Sequence, residues 1–212
     1  MAKTPAQRAA KHGDKAAVPT QRASAVVNPY APRDPAKTSG NPNLLVIAGA
    51  VASAFLFWYF HLLTLNQMTQ LSGGRAMPDS MLGGFSQAYV GQLRAAMSPD
   101  ALGQLQFVHK TAGTLFPLVF AFSAMVLIAL NVSSKRLRRA LWVPPLLFAI
   151  IQIWSNFAVD GMLSARTLDG GQVALASVLV VASWVLLVVS LLGTVYALYL
   201  GRRRKKADAP TP

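Results

Sequence analysis

The sequence predicts an all-α fold: a four-helix transmembrane bundle, up-and-down, with a small extracytoplasmic helical cap between spans one and two. Three observations predict it. Of 212 residues, 53% are hydrophobic and only 13% are charged, a balance that suits lipid better than water as the solvent. Runs free of Lys, Arg and Asp at 44–65, 111–132, 140–159 and 173–200 each approach or exceed the ~20 residues that cross a ~30 Å hydrocarbon core. Finally, the 20 Lys and Arg alternate along the chain. Seven precede the first run, three follow it, four lie in "SSKRLRR", one follows the third run and five follow the fourth.

That alternation is the positive-inside pattern. It places both tails and the middle loop in the cytoplasm of a plasma (inner) membrane protein, and the other two loops outside. Spans are expected at about 44–65, 108–132, 141–163 and 173–200, joined first by an outer loop at 66–107. The runs are apolar on nearly every side, which argues against a soluble bundle. The formal charge of +13 is explained by orientation and by anionic lipid surfaces, so nucleic acid is not an expected partner. Cysteine is absent, which removes disulfide and thiolate chemistry, and all seven acids are Asp.

Residues 1–43, rich in Ala, Pro, Lys and Arg, read as a disordered basic cytoplasmic tail, and 202–212 as a basic cytoplasmic tail. Some 40 polar residues precede the first run, so it is expected to be retained rather than cleaved as a signal. Within span one, Ala48, Gly49, Ala52 and Ser53 make a small-residue face for close helix packing. Trp58, Tyr59 and His61 sit toward its outer end, where amphipathic rings favour the interface.

In the outer loop, Ser86 can cap a short amphipathic helix that presents Phe85, Tyr89, Leu93 and Met97 at four-residue spacing. Ser98 followed by Pro99 has the order of a helix start, and that helix is expected to run on into span two, where Pro117 should kink it. Pro144 and Pro145 fit the first turn of span three. Span four is longer than a bilayer needs and is expected to tilt or project.

The chemistry-bearing residues are few. Gln152, Asn156 and Asp160 recur every four residues in an apolar helix, so they share a face that must look into the bundle or a wet cavity. Gln152 and Asn156 read as interhelical hydrogen-bonding groups, with Ser53, Ser183 or Ser190 as partners. Asp160 lies at the depth of His61, His109 and Lys110, which gives an outer-face cluster with a Lys110 or His109 contact to Asp160. No local spacing supports a metal site from His61, His109 and Asp160, and none is expected. His61 and His109 could alternatively be axial ligands of a b-type haem. No nucleophile motif or phosphate loop is present, so no catalytic residue is assigned.

Gly84, Phe85 and Ser86 at the start of the cap helix, Phe116 and Pro117 early in span two, and Asn156 in span three give a layout that resembles a family of uncharacterised prokaryotic four-span membrane proteins. The likeness covers roughly residues 44–200. In that family acidic residues often accompany the span-three Asn, where this chain has Gln152 and Ser155. The resemblance implies no activity. The sequence therefore points to a non-enzymatic accessory or scaffold subunit. It would act on other membrane proteins, or on itself, through the small-residue face and the cap helix, with membrane lipid as its solvent and no cofactor. The alternative is a haem-binding or small-molecule-binding bundle that uses His61 and His109.

Overall fold

The computed structural model describes residues 41–207; nearly all of the expected tail at 1–43 falls outside that range, whereas 202–207 of the expected second tail continue the last helix. Four helices are long and apolar enough to cross a membrane: α1 (Pro42–Leu71), α3 (Pro99–Asn131), α4 (Lys135–Ser164) and α5 (Gly170–Ala207). A short helix, α2 (Gln87–Ala96), lies between α1 and α3. Among the described residues there is no strand. The chain runs up and down, so residues 41 and 207 share one end of the bundle, here the termini end. The 72–98 connection and the 165–169 turn share the other, the loop end.

Helix starts follow local chemistry. Asn41 accepts from the Asn43 N–H with Pro42 at the first helical position, and Ser98 accepts from the Ala101 N–H with Pro99 beside it. Ser134 caps α4, accepting from the Leu137 N–H. The helix therefore takes in the basic stretch expected to be a loop, and Pro144 and Pro145 fall in its third turn rather than its first. The carbonyls four residues before them, Ala140 and Leu141, lose their helical donors. Ala140 is exposed near the termini end, where water can satisfy its carbonyl.

Pro117 sits inside regular helix, and the interruption falls earlier, at Thr111 (φ −105°, ψ −95°). In α1 the backbone widens into a π-helical stretch at Trp58–Thr64, with the Thr64 hydroxyl bonded to the Tyr59 carbonyl at 2.9 Å. Nothing in the sequence pattern announced that stretch.

Helices α3, α4 and α5 form the compact core, and α1 leans on α3. Only 11% of the most apolar window of α1 is buried, against 44% for α3 and for α4. Of the expected small-residue face, Ser53 is buried, Gly49 and Ala52 are half-buried, and Ala48 faces outward. The close approach is made at Gly49, where an added Cβ would fall 2.9 Å from the Ser123 Cβ of α3. Gly49→Ala is expected to destabilise the protein by about 1–3 kcal/mol through overpacking. Adding Ser123→Gly to that variant should restore most of the loss in a detergent thermal-unfolding series.

Candidate functional site

The polar row of α4 divides into a strut and an ion cluster. Pro117 has no N–H, so the carbonyl of Gly113, four residues back, has no helical donor. Asn156 supplies one: its amide Nδ2 donates to the Gly113 carbonyl at 2.9 Å, and its Oδ1 accepts from Gln152 at 3.1 Å. Both side chains are buried. A Cβ at position 113 would meet the Asn156 amide at 2.9 Å, so the glycine is what admits it. The expected partners Ser53, Ser183 and Ser190 are not used, because each hydroxyl bonds back to a carbonyl of its own helix. Those carbonyls lie within one turn, a shorter reach than across the interface.

One turn nearer the loop end, Asp160 meets His109 of α3, with Nδ1 to Oδ1 at 2.6 Å. The other ring nitrogen faces a residue that the spacing argument did not single out. Asp79, in the 3₁₀ turn Pro78–Ser80, brings its Oδ2 to 3.3 Å from His109 Nε2. The Asp79 pair is off the hydrogen-bond line and acts as a charge contact. His109 is 1% exposed and Asp79 is 3% exposed, so the imidazole and the Asp79 carboxylate meet away from water, while Asp160 is only half-buried. A doubly protonated ring is the form that offers a proton to both. Burial alone would raise the Asp79 carboxyl, but the charge of the facing His109 ring outweighs it, and the net effect holds the carboxyl below the usual carboxylate range.

The expected outer-face cluster therefore forms only in part. Lys110 is exposed and pairs with no acid among the described residues. Adjacent residues on a helix point about 100° apart, so turning His109 inward turns Lys110 out. His61 lies beyond Phe60, whose ring is 4.6 Å from His61 and 5.8 Å from His109. Both His109 ring nitrogens face carboxylates, and the Phe60 ring packs edge-on against both histidines. No group of three or more His or Asp among the described residues is arranged to hold a metal ion.

The cap helix is consumed by the fold. Ser86 caps it, accepting from the Tyr89 N–H at 3.2 Å. Leu93 and Val90 are buried in the loop-end core, with Phe85, Tyr89 and Met97 packed against it. Gly84, at φ +79°, turns the chain against α5, and the Phe85 N–H donates to Ser177 Oγ at 3.0 Å. The Tyr89 hydroxyl bonds to the Ala76 carbonyl, and Arg94 to the carbonyl of Ala165.

A second feature has no counterpart in the sequence reading. Between α1, α3 and α5 lies an apolar groove of about 460 Å³, reaching from Val46 to Phe57 on α1 and from Trp184 to Thr194 on α5. Its hydroxyls on Ser53, Ser123 and Thr194 all donate to carbonyls of their own helices, so the walls offer no free donor. The loop end of the groove is closed by rings from all three helices. His61 stacks on Phe57 at 4.7 Å and meets Trp184 edge-on at 5.1 Å and Phe116 at 5.5 Å. The Trp184 indole donates to the Asp79 carbonyl at 2.9 Å, which joins this aromatic plug to the ion cluster.

Asp79 and Trp184 are thus the residues that sequence reasoning missed. The one signal for Asp79 is an acid set among apolar neighbours, Met77, Pro78 and Met81. Comparison with known proteins adds no further constraint, since no family model, curated protein or solved structure matches the chain.

Two outcomes test the cluster. Asp79→Ala strands His109 against a single carboxylate and is expected to cost about 3–5 kcal/mol, whereas Lys110→Ala should change stability by no more than about 0.5 kcal/mol. Replacing Asp79, His109 and Asp160 together by Leu, Phe and Leu should cost less than Asp79→Ala alone, because no buried charge is left unpaired. The second outcome concerns pH. A carboxyl held below its ordinary value in the folded state stabilises fully above that ordinary value, and the contribution is lost as pH falls through the lowered one. The stability difference between wild type and Asp79→Asn should therefore be constant at neutral pH and close only in acid below the usual carboxylate range.

Proposed function

We propose that this chain is a non-enzymatic integral membrane protein that binds a single hydrocarbon chain laterally, in the groove between α1, α3 and α5. The groove itself carries the reading. Protein interiors rarely hold voids larger than a water molecule, and an apolar cavity of this size stays dry unless an apolar group fills it. Within a bilayer the group at hand is an acyl or isoprenoid chain. About 460 Å³ of apolar space drawn out along roughly 16 Å of helix is an elongated slot, a shape that suits an extended hydrocarbon chain.

Of the surfaces that favoured a scaffold from sequence alone, Gly49 packs on Ser123 of α3 and the start of the cap helix is held to α5 through Ser177, while Ala48 remains exposed. The distribution of Lys and Arg supports an orientation with both termini in the cytoplasm of a plasma membrane and the ion cluster near the outer surface.

Native mass spectrometry from mild detergent tests the proposal. Wild type should retain one lipid per chain after detergent exchange. Ala50→Phe and Ala54→Phe, which fill the groove, should lower retention to the background level. Val51→Phe, on the 64%-exposed flank of α1 outside the groove, should leave retention unchanged. Equal retention in all four proteins would remove the proposal.

A further inference from the structure

We infer that the groove selects an anionic phospholipid, drawn from the leaflet at the termini end with its headgroup lying there; the inference rests on the hydrocarbon-chain reading above. Three observations lead to it. The first is closure at one end. The rings of Phe57, His61, Phe116 and Trp184 join α1, α3 and α5 at the loop end, while α1 and α5 share almost no direct backbone contact below them. A chain can only lie with its methyl end against the plug and its head toward the termini.

The second is dryness. Each hydroxyl on the walls is committed to its own helix, so nothing inside the groove recompenses a desolvated headgroup. The polar part of the ligand must stay outside.

The third is charge. The groove-lining residues of α5, Trp184, Val188 and Leu191, recur at helical spacing. Continued along the same edge, that spacing passes through Leu198 to Arg202 and Lys205, both exposed. At 1.5 Å per residue the backbone positions of these two lie about 12 and 16 Å beyond Thr194, a gap that a glycerol-phosphate and the long Arg and Lys side chains close from opposite sides. The opposite wall ends in the N-terminus of α1 at Pro42, whose dipole has the same sign. No acid lies at this end among the described residues: every described Asp sits in the loop-end turns or in the loop-end portions of α3 and α4. Among the described residues the apolar slot therefore opens onto a cationic rim that no carboxylate opposes.

Competition on the full chain tests this. Purified protein is exchanged into detergent that contains equimolar phosphatidylglycerol and phosphatidylcholine with identical acyl chains, and retained lipid is read by native mass spectrometry. Wild type should prefer phosphatidylglycerol. Each basic residue near a headgroup contributes about fivefold at a membrane surface, so Arg202→Gln with Lys205→Gln should cut that preference by up to about 25-fold and still retain one lipid. Ala54→Phe should lose both lipids. No preference in wild type, with lipid still displaced by Ala54→Phe, would overturn the anionic inference and leave the groove reading standing. Phosphatidylglycerol retention that survives Ala54→Phe but falls with the double Gln variant would overturn both, since the lipid would then lie on the surface of the tail.

Discussion

The absent N–H of Pro117 is the constraint around which the loop-end half of this bundle is organised. In hydrocarbon a backbone carbonyl without a donor costs several kcal/mol, and no water is at hand to relieve it. Asn156 donates to that carbonyl from the neighbouring helix, and Gly113 is the residue that lets it come close. The bond therefore fixes more than one contact. Helices α3 and α4 are antiparallel, so once Gly113 is set against Asn156, the residues four before and four after, His109 and Asp160, are set against each other one turn higher. A missing donor in the backbone and an ion pair in the side chains are two readings of the same register.

From His109 the constraint passes outward. Its second ring nitrogen draws the Pro78–Ser80 turn down into the core through Asp79. The backbone carbonyl of Asp79 then takes the indole N–H of Trp184. A loop that composition alone would leave at the surface is pulled inward by charge, and a half-buried indole on α5 is given a fixed position. Such an arrangement contributes more to specificity than to net stability, because the desolvation of three ionisable groups offsets much of their attraction. What it secures is a single placement of the turn and of the ring beneath it.

The coarse fold was legible because bilayer thickness and the location of Lys and Arg act on whole segments. The inward face of the polar row was legible because the helical repeat fixes it. The partners of that row were not. Ser53, Ser183 and Ser190 looked suitable by residue type, but a serine in an apolar helix satisfies itself on its own backbone, while the acceptor that needed help was a main-chain carbonyl with no side-chain signature. Pro117 marked that carbonyl four residues ahead, a local rule that sequence reasoning had applied only to a kink. Lys110 was grouped with His109 by depth, although their 100° separation on the helix allows only one of them to face inward. Asp79 carried only the weak signal of an acid among apolar neighbours, because its position depends on a turn that a distant imidazole holds, and the π-helical stretch carried none because backbone widening leaves no periodic mark.

The groove follows from how α1 is committed. Gly49 is spent on a close approach to Ser123 of α3, and α1 leans on α3 with almost no direct packing on α5. At the loop end, bulky rings fill the resulting gap between α1 and α5. Toward the termini the facing residues shrink to Ala50 and Ala54 on α1 against Val188 and Leu191 on α5, and nothing spans the space. A soluble protein would collapse such a gap to bury the surface, but in a bilayer the tails are as apolar as the walls, and closing it offers little gain over letting a tail in. The same aromatic plug that joins the ion cluster to the bundle thus holds α1 apart from α5, and the slot stays open on the side where the basic edge of α5 begins.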